Sequence, residues 1–198
     1  FTTTTVQEVI DEINNLISTA GKEVYVDINR TDSYVETGSD DKPFKSVANA
    51  VSSLGASGII HLSPGTYTSD LNFPGNFEVK GSGADNTIIE GNVTIGDGTP
   101  RGSASIEDVW VKGELSIDIS ADNKIEIDRS RSTGSVAVTS GKVVADAFPI
   151  KPSSSGVTAL TISSQGEFTN SNATMTSTGD VSTISSTGNL ICLLSISK

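Results

Sequence analysis

The sequence predicts an all-β chain wound as a right-handed, single-stranded parallel β-helix of about 22 residues per coil, with a short N-terminal helix and a capping helix. Three observations predict it. Gly91, Gly113, Gly134, Gly156 and Gly179 recur at steps of 22, 21, 22 and 23 residues. Most of them precede a short alternating apolar segment, as in Asn92-Val93-Thr94-Ile95, Glu114-Leu115-Ser116-Ile117 and Ser135-Val136-Ala137-Val138. None of these units contains an amphipathic helix. A fixed period in this range, built from strand chemistry, marks coils stacked along one axis, and crossovers between parallel strands are right-handed.

Taken in order, Thr5 and Glu8 stand in capping-box relation ahead of Val6, Ile10, Ile13 and Ile17, with Val9 and Leu16 widening the stripe. The spacing predicts a helix over about residues 5–20. Its 4-3-4 isoleucine pattern suits a three-stranded seam, and a helix packed on its own domain satisfies the same pattern. About two heptads cannot stand alone. Glu23 to Asp27 reads as a strand and Thr37 to Asp41 as a loop. Asp40 or Asp41 then caps a predicted helix with Pro43 in its first turn and Phe44, Val47, Val51 and Leu54 on one face, closed by Gly55. Ile59 to Leu62, Phe77 to Val79 and Thr87 to Ile89 read as strands, and Ser63 to Thr66 as a turn. The helix serves as a lid over the first coil, hiding an edge that would otherwise pair with another chain. The chain divides into an N-terminal helix (1–22), a strand and capping helix (23–58), coils (59–151) and Ser/Thr-rich final coils (152–198).

The residues from Tyr25-Val26-Asp27 through Lys42-Pro43-Phe44-Lys45-Ser46-Val47, Ile59-Ile60-His61-Leu62-Ser63-Pro64-Gly65-Thr66-Tyr67 and Gly81-Ser82-Gly83 to Thr87-Ile88-Ile89-Glu90-Gly91 resemble the N-terminal cap and first coils of the pectin-lyase-like β-helix superfamily. That superfamily includes polysaccharide lyases, pectin methylesterases and bacteriophage tailspikes. The resemblance covers about residues 25–95 and implies a fold more than an activity. Lyases of the superfamily use clustered calcium-binding aspartates with a basic residue, and the methylesterases use two Asp and an Arg. Neither set can be placed on this chain.

Side chains alternate inward and outward along each strand. Counting from the glycines, Val93, Leu115, Val136, Thr158 and Val181, with Ile95, Ile117, Val138, Leu160 and Thr183, form the expected core ladder. Thr94, Ser116, Ala137, Ala159 and Ser182 then point outward as a small, uncharged row, the kind of face that packs against copies of the same chain. In a second strand series, Glu126 and Asp128 are expected to point out if Ile125 and Ile127 point in, and Asp108, Trp110, Asp146 and Phe148 by the same alternation.

Composition bounds the function. The 198 residues carry 13 Lys and Arg against 24 Asp and Glu, a net charge of −11, which disfavours nucleic acid and anionic membranes as partners. Cys192 is the single cysteine and His61 the single histidine, so an internal disulfide, a thiolate cluster and a histidine metal site are excluded within one chain; no metal and no cofactor is expected. No run of about 18 apolar residues occurs. The chain begins at Phe1, which suggests a piece of a longer protein. Only Glu167, Asp180 and Lys198 are charged in residues 153–198, and the apolar run Leu190 to Leu194 expects cover from another chain or a following domain.

Carboxylates on neighbouring coils stand about 4.8 Å apart, near the separation of a retaining glycosidase pair. Asp108, Glu126, Asp128 and Asp146 are candidates, the alternative being a solvated acidic face; Arg129 and Arg131, beside Asp128, are placed to mimic a lyase base or to make surface ion pairs. Trp110, Asp128 and Arg131 are candidate carbohydrate-binding residues, and Trp110 serves equally to cover a coil. His61 reads as structural, and Gly81-Ser82-Gly83 as a turn, because no helix follows it to form a phosphate loop. Val6, Ile10, Ile13, Ile17 and the outward small-residue row are the candidate oligomer interface. With the resemblance, these features lead to the expectation of an extracellular virion component, a homotrimeric tailspike or tail-fibre segment contacting other virion proteins and a host cell-surface glycan or other receptor. The alternatives are a polysaccharide-degrading enzyme and a purely structural stalk.

Overall fold

The computed structural model describes residues 22–74, 76–96, 104–120, 122–151, 160–171, 184–186 and 189–192. The predicted 5–20 helix, Gly156, Gly179, Ala159 and Ser182 lie outside them. In chain order the elements are β1 (Glu23–Val26), α1 (Val47–Leu54), β2 (Ser57–Leu62), β3 (Gly65–Tyr67), β4 (Leu71–Phe73), β5 (Asn76–Lys80), β6 (Thr87–Ile89), β7 (Val93–Ile95) and β8 (Ala104–Glu107). There follow β9 (Trp110–Val111), β10 (Leu115–Asp118), β11 (Lys124–Asp128), β12 (Arg131–Ser132), β13 (Val136–Asp146), β14 (Leu160–Ser171), β15 (Ile184–Ser186) and β16 (Asn189–Cys192).

Every ladder between these strands is parallel, and the pairing advances by one coil at a time: Leu71 pairs Val93, Val93 pairs Leu115 and Leu115 pairs Val136. The chain is therefore a β-solenoid with three faces. Face A stacks β4, β7, β10, the first part of β13, the first part of β14, and β15. Face B stacks β1, β2, β5, β8, β11, the second parts of β13 and β14, and β16. Face C is the short sheet β3, β6, β9 and β12. β13 turns from face A to face B at Gly141, where φ is 99° and a side chain would collide with Ile119.

The core is a set of inward columns. On face A, Leu71, Val93, Leu115, Val136 and Leu160 form one, and Phe73, Ile95, Ile117, Val138 and Ile162 the next, all buried. Each such side chain contributes about 1.5–3 kcal/mol by leaving water. The expected ladder is right through Val138 and then slips: Leu160, rather than Thr158, pairs Val136. The coil from Val136 to Leu160 is longer than the one before it, and the extra path lets two apolar side chains, Leu160 and Ile162, continue the columns in place of a threonine. The outward row accordingly passes from Ala137 to Thr161. Face B buries Val24, Ile60, Val79, Ile106, Ile127 and Ala145 in one column, and the next residue is the buried Asn170, whose Nδ2 donates to the Phe148 carbonyl at 2.8 Å.

The cap differs from expectation in where its helix begins. Neither Asp40 nor Asp41 caps it and Pro43 is not in its first turn. The N-cap is Ser46, in extended conformation, with its hydroxyl accepting from the Asn49 N–H at 3.2 Å. Phe44 cannot be helical because it is spent on β1: its N–H donates to the Tyr25 carbonyl, and its own carbonyl accepts from Asp27. Gly55 ends α1 as expected, with φ 76°. α1 lies against β1, β2 and β4, burying Val47, Ala50 and Leu54. Gly65 and Thr66, expected in a turn, already belong to β3.

Candidate functional site

The outward side of face B carries the densest chemistry. Its register brings Tyr25, His61, Lys80, Glu107, Asp128, Asp146 and Ser171 into one row across successive strands. The neighbouring row includes Glu78, Ser105, Glu126, Val144 and Thr169. At the N-terminal end His61 stacks on Tyr25, with ring centroids 4.5 Å apart, and its Nε2 lies 2.9 Å from a Glu23 carboxylate oxygen. The sequence alone does not show this partner, because Glu23 and His61 meet only through the pairing of β1 with β2. Glu78 pairs with the Lys80 ammonium at 2.8 Å and keeps that ammonium protonated to higher pH than usual.

Further along, the backbone turns the corner from face B to face C through residues with positive φ: Asp108 at 56°, Arg129 at 44° and Ala147 at 50°. Each follows one of the row residues Glu107, Asp128 and Asp146. These corners break the strand alternation, which is why Phe148, expected outside, is fully buried. They also aim Arg129 back over the preceding coil. Its Nε and Nη2 donate to the two Asp108 carboxylate oxygens at 3.0 and 2.9 Å, Nη2 also reaches Glu107 at 3.2 Å, and Nη1 donates to Asp128. Hydrogen bonding to Asp108, then the charges of Asp108, Asp128 and Glu107, raise the guanidinium's pKa further above its already basic value.

Of the four candidate acids, Asp128 and Asp146 are direct cross-strand partners. Glu126 sits in the next row opposite Val144, ion-paired to Lys124 at 2.5 Å, and Asp108 lies around the corner. Glu107, Glu126, Asp128, Val144, Asp146 and Ser171 line a shallow depression of about 270 Å³. A general acid works when it is shielded from cations in an apolar setting. Asp108 and Asp128 are instead gripped by a guanidinium. As a lyase base, Arg129 meets the same objection, since its charge is engaged by three carboxylates. Among the described residues no group of three or more His, Cys, Asp or Glu is arranged to hold a metal ion.

Face C brings two of the three candidate carbohydrate-binding residues together. Ile88, Trp110 and Arg131 are register partners on successive coils. The Arg131 guanidinium lies 4.0 Å from the Trp110 ring centroid and the Lys112 ammonium 4.8 Å, while the indole N–H donates to the Thr133 hydroxyl at 3.0 Å. Arg131 pairs with Asp85 at 2.7 Å and Lys112 with Glu90 at 3.0 Å. Trp110 is thus held in a ladder, its ring occupied by cations. Asp128 belongs to face B and to Arg129. Lys112, Thr133 and Glu107 were missed by sequence reasoning; their only signal is a separation near one coil from Glu90, Trp110 and Arg129.

On face A the row Asn72, Thr94, Ser116, Ala137 and Thr161 is in register and uncharged. No curated protein and no solved structure matches the chain. The family described as Protein of unknown function (DUF1565) matches residues 29–192, from the cap through β16, and the chain belongs to that family.

Proposed function

We propose that the chain is a segment of a bacteriophage tailspike or tail fibre, a rigid homotrimeric β-helix of the pectin-lyase-like kind that attaches the virion to a host cell-surface receptor. One observation carries the reading: the outward row of face A is small and uncharged from Asn72 to Thr161, in a protein of net charge −11. Solvated sheet faces collect Lys, Glu and Asp, as face B does, whereas packing of symmetric copies favours a smooth face. Parallel ladders along the whole stack supply the stiffness of a post. The test is the solution mass of the 20.5 kDa chain, with and without the paired substitutions Thr94→Arg and Ala137→Arg. A monomer at high concentration sinks the trimer. Purified protein should compete with phage for adsorption to host cells; failure to compete at saturating concentration sinks the attachment role and leaves a stalk.

The facing pair Asp128 and Asp146, in its depression, favours a second reading as a polysaccharide-degrading enzyme. Its measure is reducing-end release from host capsule. Activity that survives both Asp128→Asn and Asp146→Asn removes the pair from consideration.

A further inference from the structure

Trp110 is covered by a side chain whose closed position leaves one of its own hydrogen bonds unmade. Thr66, Ile88, Trp110 and Arg131 stand in one outward row of face C on successive coils. Arg131 runs back along that row. Its guanidinium lies 4.0 Å from the Trp110 ring centroid, and its Nη2 meets the Asp85 carboxylate at 2.7 Å. Asp85 belongs to the turn that leads into β6, so the side chain crosses the whole Trp110 coil to the one before it. Arg131 is a strap over the indole, and Asp85 is its anchor.

Ring and strap are held to different degrees. The indole N–H donates to the Thr133 hydroxyl at 3.0 Å, so the ring keeps its place whether or not Arg131 covers it. The turn before β6 is fixed too, the Asn86 and Thr87 N–H groups donating to the Gly83 carbonyl at 2.9 and 2.8 Å. The strap itself is loosely tied. Asp85 is 85% exposed, which makes the ion pair a solvated one of small worth. Arg131 Nε is fully covered and, among the described residues, has no acceptor. A covered N–H without a partner offsets much of what an exposed cation–π contact and an exposed ion pair contribute. Swinging Arg131 into water hydrates that N–H. The closed position is therefore favoured by a small margin, and opening bares the indole with no movement of the backbone. The Lys112 ammonium, 4.8 Å from the ring centroid, is paired with Glu90 and has no such reason to leave.

Opened, face C offers a flat aromatic ring bordered by the Thr133 hydroxyl, the Lys112 ammonium and the Glu90 carboxylate, with half-buried Ile88 extending the apolar strip on one side. A sugar ring is the complement of such a surface, a face of C–H groups inside a rim of hydroxyls, and an aromatic face with a polar border suits it. The net charge of −11 opposes the approach of a polyanion and selects a neutral glycan. We infer that face C is a binding site for a neutral glycan, closed in the free protein by the Arg131–Asp85 strap over Trp110. The inference deepens the attachment reading and rests on it for the source of the glycan, whereas the strap and the site are tested without phage.

Asp85→Ala removes the anchor and leaves the ring and its border in place. It should raise acrylamide quenching of Trp110 about twofold and, because affinity scales with the fraction of molecules already open, strengthen binding about threefold. The probe is an array displaying neutral and acidic glycans side by side. Arg131→Ala should act in the same direction, and adding Asp85→Ala to it should change little further. Trp110→Leu should abolish binding in every background. Three results overturn the inference: quenching unmoved by Asp85→Ala, opened variants that bind no glycan or only acidic ones, or Trp110→Leu binding like wild type. Failure of the attachment reading looks different. Array binding and its dependence on Asp85 then persist, which upholds the site, while neither wild type nor the Asp85 variant competes with phage for adsorption.

Discussion

Gly134 sits directly on the carbonyl of Gly113, so close that an added Cβ would come within 3.0 Å of it. Gly113 sits in the same way on Gly91, and Gly91 on the carbonyl of Ser69. None of the three glycines has a positive φ, so the requirement is for space between coils and not for backbone freedom. Gly113→Ala and Gly134→Ala should each cost about 1–3 kcal/mol by overpacking. Gly55→Ala is the comparison: its Cβ meets nothing within 4 Å, and its cost, about 1 kcal/mol, comes from φ of 76° alone. Urea unfolding measures all three, and a Gly55 variant as unstable as the Gly113 variant would show that the column is not tightly stacked.

The glycine column explains why the solenoid was legible and where legibility stopped. A backbone contact repeated once per coil leaves a residue-type period, and face A could be counted from it as far as Val138. Beyond that the coil lengthens, and the apolar columns, not the glycine, set the register at Leu160. The corners at Asp108, Arg129 and Ala147 share a backbone shape but no side-chain type, so nothing in the sequence marked them. Arg129 was visible beside Asp128, but its hold on Asp108 and Glu107 exists only once neighbouring coils are stacked. The helix starts later than Pro43 and the aspartates before it predict, because these ordinary start signals are overridden by the pairing of Phe44 with β1.

Arg129 holds Asp108, Asp128 and Glu107 together on an exposed corner. Arg129→Gln should lower the thermal midpoint by leaving three carboxylates facing one another. Because the site is solvated, the difference from wild type should shrink as ionic strength rises from about 0.01 M to about 1 M and the screening length falls from about 30 to 3 Å. A salt-independent loss would mean that packing of the side chain, not its charge, matters. Arg129→Gly separates the backbone contribution, since glycine relieves the positive φ while removing the same ion pairs.

Trp110 is the only tryptophan, so fluorescence excited at the red edge, where tyrosine does not absorb, reports on it alone. Removing the guanidinium over its ring with Arg131→Ala should increase acrylamide quenching and cost about 0.5–1 kcal/mol, the usual size of an exposed cation–π contact. If Trp110 stacks on a receptor sugar, Arg131 must first move. Arg131→Ala should then bind host glycan at least as well as wild type, while Trp110→Ala binds less. Equal binding by all three removes Trp110 from the receptor surface.

The cap loop carries an acid-sensitive pair. Arg30 donates from Nε and Nη2 to the two Asp32 carboxylate oxygens at 2.8 Å, and its guanidinium lies 5.0 Å from the Tyr34 ring centroid, with the Lys45 ammonium at 4.6 Å. The hydrogen bond from Arg30 lowers the Asp32 pKa from 3.8 to about 2. A carboxylate depressed on folding stabilises the fold above its unfolded pKa, and the contribution disappears as pH falls through the folded value. The pair should therefore contribute fully above about pH 4 and lose its contribution between about pH 4 and 2. The Asp32 carboxyl carbon shift should titrate near 2 in wild type and return towards 3.8 in Arg30→Gln. An unchanged midpoint in that variant would mean that Arg30 does not hold the carboxylate in solution.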